Sequence, residues 1–355
     1  MDMTNDPSIR MRKANASTKM KTPRDPRGAV ARRQYGMLQI CLQTDGCTKG
    51  SAGSCMFCNY PWGHLPADEC VLPILDDVLS GIDPMDHTIL IGSSGSLLDS
   101  SEVSDAMLRM VLERVARTTC NRILIETRLD TINEKTLGIL HEYLPGKHVE
   151  IEFGLESSNP DVLKYCLGKD VDLKSFGRQM ELLHSHGFTA SANVMIGTPL
   201  LGTEEQIRDT VSTIKWALNN GADSTVLFPM NVRKHTLLEQ MLNNGIYSPI
   251  NHILVPLALS YLDDRALCTI SLSWADPRQA DDDCIIARPS ENGCPGIFRF
   301  YDEFMATDNQ KERRALISNI LAMSDSPTMF QAPAGSLKER AERVCDQLGI
   351  RLQRV

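Results

Sequence analysis

No run of 18 apolar residues occurs anywhere in this sequence of 355 residues, which excludes a membrane-spanning helix and with it a membrane partner. The stretch Met1–Arg33 is polar and lacks the apolar core of a secretory signal, so a cytoplasmic protein is expected. Internal repeats and low-complexity tracts are absent. Aromatics are few, at 5%, while charged residues, at 23%, stand at the level of an ordinary soluble protein. What the chain does have is cysteine. Eleven of them, an odd number in a reducing compartment, point away from a disulfide frame and towards metal ligands plus small buried hydrophobes. The length suits one large domain with an appendage, or two domains.

Charge is unevenly spread. The chain carries a net −8, yet between Ile9 and Tyr35 nine bases (Arg10, Arg12, Lys13, Lys19, Lys21, Arg24, Arg27, Arg32, Arg33) face one acid, Asp25. Residues 1–35 therefore read as a basic N-terminal arm, either touching phosphates or solvated and flexible. The acidic remainder argues against a broad nucleic-acid surface.

From residue 36 to about 250 short β-rich runs alternate with helical patterns. The expected strands are Leu38–Leu42, Thr88–Ile91, Arg122–Glu126, Val149–Phe153, Ala190–Ile196 and Ser224–Phe228. Between them, Phe176, Met180 and Leu183 share one helical face, as do Ile207, Val211, Ile214 and Leu218. Thr203 with Gln206, and Thr131 with Glu134, read as capping boxes. Six strand–helix repeats imply a parallel α/β sheet, open or closed into a barrel. In residues 251–355 the alternation ends. An apolar run at Ile253–Leu262, a strand at Cys268–Leu272 and three helical patterns read as a C-terminal accessory or cap region.

The strongest chemical signal is Cys47-Thr-Lys-Gly-Ser-Ala-Gly-Ser-Cys55-Met-Phe-Cys58, a Gly/Ser loop directly after the first strand. In α/β folds that edge binds ligands. Zinc normally takes a fourth ligand, for which His64 and Cys70 are the nearest candidates. Three thiolates alone suit a [4Fe–4S] cluster with one iron left open.

Three cysteines with an aromatic, Phe57, before the last, followed by six βα repeats, resemble the radical S-adenosylmethionine (SAM) superfamily. The wide C-x7-C-x2-C spacing resembles its Elp3-like branch. The pattern is most similar to the radical SAM subunit of archaeosine synthase, through Gly-Ser-Leu-Leu-Asp99, Ile-Glu126-Thr-Arg128, Phe-Gly-Leu-Glu156 and His-Thr236-Leu-Leu-Glu. The resemblance implies a partial (β/α)6 TIM-type barrel, with Cys47, Cys55 and Cys58 as cluster ligands. It implies SAM as second cofactor, bound by Phe57, Gly92, Ser94, Gly95, Ser96, Glu126, Arg128, Glu156, Ser157, Asn193, Gly197 and Pro199. Glu126, Glu156 and Lys234 are the candidates for general acid or base, and Arg233 for a substrate contact. The implied activity is reductive cleavage of SAM, with an external electron donor such as flavodoxin or ferredoxin, and hydrogen abstraction from a substrate.

Cys55-Met-Phe-Cys58-Asn-Tyr departs from the Cys-Thr-Met-Cys-Gly-Tyr of those tRNA-acting proteins. Together with the acidic body, this favours a small metabolite in a biosynthetic pathway. The alternatives are tRNA modification and transfer of SAM's 3-amino-3-carboxypropyl group to an acceptor. Cys41, Cys120, Cys166, Cys268 and Cys345 read as buried hydrophobes; Cys268, Cys284 and Cys294 could hold a second cluster but lack C-x2-C spacing. The C-terminal segment is expected to cover the barrel's open side, with Trp274 and Arg288 at the substrate entrance.

Overall fold

A computed structural model describes residues 6–19, 29–34, 36–44, 46–60, 68–83, 85–273, 284–326 and 329–351. His64, Trp274 and the side chain of Cys70 lie outside the described residues. The strands are β1 (Ala29–Gln34), β2 (Met37–Leu42), β3 (Thr88–Ser93), β4 (Arg122–Thr127), β5 (His148–Glu156), β6 (Thr189–Ile196), β7 (Ser224–Pro229), β8 (Val232–Arg233), β9 (Ile270–Leu272) and β10 (Ile285–Ala287). Eight of them form one sheet in the order β1-β2-β3-β4-β5-β6-β7-β9. All neighbours pair parallel except β1, which lies antiparallel to β2.

Alternate residues of each parallel strand do different things. Leu38, Ile40 and Leu42, with Ile89, Ile91, Ile123, Ile125 and Ile151, are buried in the apolar layer shared with Val111, Leu112, Leu137 and Leu140 of the covering helices. The residues between them face the other way. Gln39, Leu90, Leu124, Glu152, Ser191, Val226 and Ser271, from seven different strands, line one cavity of about 510 Å³. Strands of one sheet share a cavity only if the sheet curls around it, so this is a curled half-barrel with helices outside.

The six expected strands are present, and two more flank them. After Ile250, an apolar cluster joins Val194, Ile214 and Leu227 of the barrel to Leu254–Leu272 and to Phe300, Tyr301 and Phe304. β9 from that segment pairs with β7, covering an edge that would otherwise expose its backbone groups. The run Ile253–Leu262 is mostly helix, Leu254–Ser260.

Three local expectations fail. The helix Thr203–Asn219 is capped by Gly202, whose N–H donates to Glu205 (2.9 Å), while Thr203 Oγ1 accepts the Phe330 N–H (2.9 Å) instead of a helix amide. Asn133, not Thr131, caps Glu134–Tyr143, because the Thr131 hydroxyl is engaged with Thr127 (2.8 Å) and Ser96 (3.1 Å). Cys268 is exposed on the helix Asp264–Thr269; the strand starts only at Ile270.

The basic arm also differs from its reading. Pro7–Lys19 is a helix on which three of the bases reach partners within the chain, while Lys13 is exposed. Arg10 pairs with Glu342 (2.6 Å) and donates to Ile350 O (2.6 Å); Arg12 pairs with Asp170 (2.5 Å); Lys19 donates to Ser54 O (2.7 Å). Intramolecular carbonyls and carboxylates take up these cations, in place of either the solvent or the phosphates of the two readings.

Candidate active site

The cysteine loop leaves the C-terminal end of β2 and is fixed on three sides. Cys47 caps the short helix Thr48–Ser51, its Sγ accepting the Gly50 N–H at 3.3 Å. The helix Pro7–Lys19 lies against Gly53, where any Cβ would run into the Arg12 carbonyl. Fully buried Asn15 donates to Gly53 O (3.0 Å) and accepts from Leu237 N (2.9 Å), bridging the loop to the helix Leu237–Asn243. On the far side Cys55 N donates to Gly168 O (3.2 Å) and Met56 N to Leu167 O (2.9 Å). These bonds hold Cys55 at φ +58°, a conformation that costs energy outside glycine.

A buried carboxylate organises the neighbouring loop. Glu102 accepts from Thr48 N and Oγ1 (both 2.7 Å), from Ser96 N (2.6 Å) and from Arg128 (2.6 Å). Gly95 makes room for it, since a Cβ there would collide with its Oε2. Arg128 is saturated: it also pairs with Asp99 and with Asp130 (3.1 Å), and it stands 3.7 Å from Cys47 Sγ. Burial works against its charge, but Glu102 and Cys47 hold its pKa above the usual arginine range. Arg128 thus takes the salt-bridge role, in a partly buried form, and steadies the Cys47 end of the loop.

Beneath the loop the inner face is acidic. Glu126 on β4 and Glu152 on β5 are register partners. Burial and the neighbouring Glu156 raise the Glu126 carboxyl, while Lys169 opposes. Burial and Glu126 push Glu152 up to about 8. Glu156 sits at a bulge of β5 with φ +66° and pairs with Lys169 at 2.8 Å. Gly154 is required there, because a Cβ would strike both Lys169 Nζ and Glu156 Oε1. Gly92 likewise leaves space for the Glu126 side chain. Asn193 on β6 is 7% exposed, and its Oδ1 has no hydrogen-bond donor.

Other expected residues are placed as follows. Phe57 is half-buried against the apolar cluster that holds Met56. The Ser94 hydroxyl accepts from Thr44 N (2.9 Å), and the Ser96 hydroxyl meets Thr127 Oγ1 (2.6 Å), so both brace loops. Ser157 donates to Asp209 (2.9 Å), whose carboxyl burial raises to about 6. Gly197 O accepts from the Tyr247 hydroxyl (2.8 Å), and Pro199 lines a second cavity of about 960 Å³ with Ile250 and Phe330. Lys234 is exposed, and no contact of its side chain to the other site residues is present among the described residues. Arg233 reaches Asn59 Oδ1 at 3.5 Å, and the buried Nε of Arg288 has no partner. Cys294 is buried against Ser324 (3.2 Å) in the C-terminal apolar cluster, while Cys268 is exposed.

Asn15, Glu102, Glu152 and Lys169 were not anticipated. For Glu152 a signal existed: Glu150 and Glu152 alternate with Val149, Ile151 and Phe153, and in a sheet covered by helices that alternation marks a polar interior.

The donor set fits a cluster. Cys47, Cys55 and Cys58 influence one another electrostatically, so the three thiols lie near one another, with the Glu102 carboxylate also acting on Cys47. Burial raises the Cys47 thiol and pushes Cys55 up to about 11, so their thiolates need a cationic centre. Among the described residues no three Cys, His, Asp or Glu converge tightly enough for one metal ion. A cluster asks for something else, one thiolate on each of three irons. Lys169 offers positive charge beside them: burial opposes its charge, yet Glu156, Cys55 and Cys58 hold its pKa above the usual value.

Comparison with known proteins finds likeness to archaeosine synthase subunit beta, the subunit whose motifs the sequence resembles. The chain is 27% identical over 224 residues to archaeosine synthase subunit beta of Methanosarcina acetivorans, covering 61% of this chain and 64% of that protein. It is 26% identical over 230 residues to the same subunit of Thermococcus kodakarensis, covering 62% and 70%. An uncharacterized protein of Methanocaldococcus jannaschii is 25% identical over 221 residues, with 60% of each chain covered. The match therefore spans less than two thirds of the length of the Methanocaldococcus jannaschii and Methanosarcina acetivorans proteins. Among solved structures, Methanocaldococcus infernus Elp3 aligns with TM-score 0.48 at 17% identity, over 66% of this chain and 58% of its own. Methylornithine synthase aligns with TM-score 0.47 at 13% identity, over 87% and 91%. No family model matches the chain.

Proposed function

We propose that this protein is a radical SAM enzyme whose Cys47, Cys55 and Cys58 hold a [4Fe–4S] cluster, with SAM bound over the barrel mouth. The observation that carries the reading is the loop itself: three grouped thiols, of which Cys47 and Cys55 are costly to ionise without a metal, on a loop clamped from three sides. When bound, such a cluster supplies one electron to SAM's sulfonium, releasing methionine and a 5′-deoxyadenosyl radical that takes hydrogen from substrate. The chain's own residues hold and orient. Glu102 and Arg128 fix the Cys47 end, Lys169 balances negative charge near Cys55, and the curled sheet excludes bulk water from the interior. Glu126 and Glu156 face that interior as acid–base candidates. Lys234 is exposed, and among the described residues its side chain makes no contact with the other site residues.

A small metabolite remains the preferred substrate, because the interior is acidic and several N-terminal bases are spent on internal partners. The names of the relatives favour a second reading, modification of tRNA. Anaerobic protein is expected to carry about four iron and four sulfide per chain. Replacing Cys47, Cys55 and Cys58 with Ala should remove them, and a full cluster in that variant refutes the ligand set. Reduction with SAM should yield 5′-deoxyadenosine; 5′-methylthioadenosine would instead indicate aminocarboxypropyl transfer. Salt-dependent tRNA retention, lost on neutralising Lys21, Arg24 and Arg27, would overturn the small-metabolite reading.

A further inference from the structure

We propose that the cavity of about 960 Å³ at the start of the helix Thr203–Asn219 binds a small, flat aromatic ring whose N–H donates to the side-chain oxygen of Gln206. The site is separate from the cysteine loop and goes beyond the radical SAM reading. Its wall comes from distant parts of the chain: the turn after β6 (residues 198–201), residues 244–251, the loop of Ser290 and Asn292, and the helix Leu337–Gln347. Cys47, Cys55 and Cys58 do not border it, and neither do Glu126, Glu156 or Asn193. Its volume lies in the range of small-molecule sites.

The observation that points to a ligand is Gln206, which lines the cavity. It is 7% exposed and its Oε1 has no hydrogen-bond partner, whereas buried polar atoms are nearly always paired. The amide cannot be turned over to cure this. Its nitrogen donates to Leu201 O at 3.0 Å, and a carbonyl there accepts only from the N–H end, so the oxygen is the atom left over. Three polar neighbours on the wall are already engaged. Tyr247 donates its hydroxyl to Gly197 O (2.8 Å), Thr203 Oγ1 accepts from Phe330 N (2.9 Å), and Arg340 is taken up by Glu205 (2.7 Å) and Leu200 O (2.8 Å). Pro199, Leu201, Ile250, Leu254 and Val344 make much of the wall apolar, and Phe330, 57% exposed, adds an aromatic ring. An apolar wall with one unanswered acceptor selects a neutral molecule with an apolar body and a single N–H donor. A carboxylate or phosphate would meet Gln206 acceptor to acceptor, and a bare cation would lose its hydration to the apolar wall. Tyr247 and Phe330 favour an aromatic body over an aliphatic one.

Indole and benzofuran make the test, since they share size and shape and only indole carries an N–H. Each is equilibrated by dialysis against the full chain, prepared anaerobically. Indole is expected to bind with a Kd on the order of 1 mM or tighter. Benzofuran should bind at least about fivefold more weakly, because it leaves Gln206 Oε1 unpaired. Gln206→Met keeps the length of the side chain and removes the acceptor, so the preference for indole should vanish. Phe330→Ala, at an exposed ring, should weaken both compounds about twofold or more while the chain stays folded. SAM at saturation, added without reductant, should leave indole binding unchanged. Equal affinity of the two compounds for wild type, or a preference for indole that survives Gln206→Met, would overturn the proposal. Binding that ignores Phe330→Ala, or no millimolar binding of indole at all, would overturn it too. Displacement of indole by SAM would assign the cavity to SAM's own adenine and remove the separate site. Iron and sulfide content, measured on the same samples, reports separately on the radical SAM reading.

Discussion

Glu152 offers a quantitative test of the acidic interior, because its raised pKa makes a statement about stability. The group titrates at about 8 in the folded chain against an ordinary 4.5, through burial and then repulsion by Glu126. A carboxyl raised in this way binds its proton more tightly folded than unfolded. Its burden is absent below the unfolded pKa, grows as pH rises above 4.5, and levels off above 8. Linkage puts the cost at about 1 kcal/mol at pH 5, about 3 kcal/mol at pH 7 and about 5 kcal/mol at pH 9. Glu152→Gln keeps the shape and removes the charge. Anaerobic urea unfolding of both proteins, prepared alike, should show the variant more stable, with a gap that widens from pH 5 to pH 9. A constant gap, or a wild type that gains on the variant as pH rises, would mean that Glu152 is charged and compensated, and would refute a carboxyl raised by burial and Glu126 against its one hydrogen bond from Asn193.

Asn15→Ala removes the bonds to Gly53 O and Leu237 N, leaving both backbone groups without this partner, and should cost about 2 kcal/mol. The same variant should release iron to a chelator faster than wild type, with rates followed by absorbance; unchanged rates would free the N-terminal helix from any part in holding the loop. Truncation after Ile250 strips β9 from β7 and opens the apolar cluster around Leu227 and Ile270. Insoluble protein is expected on expression, and a soluble, SAM-cleaving fragment would show that the C-terminal region is dispensable.

The sheet was legible because its outward residues repeat regularly. Ile89, Ile91, Ile123 and Ile125 announce strands whatever covers them. β1 was missed since Ala29–Gln34 reads as charge, Arg32 and Arg33 being exposed on an antiparallel edge strand. The caps failed where tertiary contacts reassigned a hydroxyl, as at Thr203 and Thr131. The three cysteines could be read from spacing alone. Glu102 could not: it lies in a turn, and only folding brings it to Thr48 and Arg128. Lys169 is equally anonymous in sequence, and it becomes notable only because β5 bulges at Glu156.

The helix Pro7–Lys19 is itself braced by residues far along the chain: Arg10 donates to Ile350 O, and Cys345 Sγ approaches Pro7 O at 3.7 Å. That helix is synthesised first, the cysteine loop next, and the brace some 340 residues after Arg10. On the ribosome the loop therefore lacks this brace until residue 350 has emerged. On the proposed cluster reading, metal loading follows that point. Oxygen or stray zinc reaching the three thiols during that interval would compete with assembly, so the yield of correctly loaded protein should depend on how fast translation finishes.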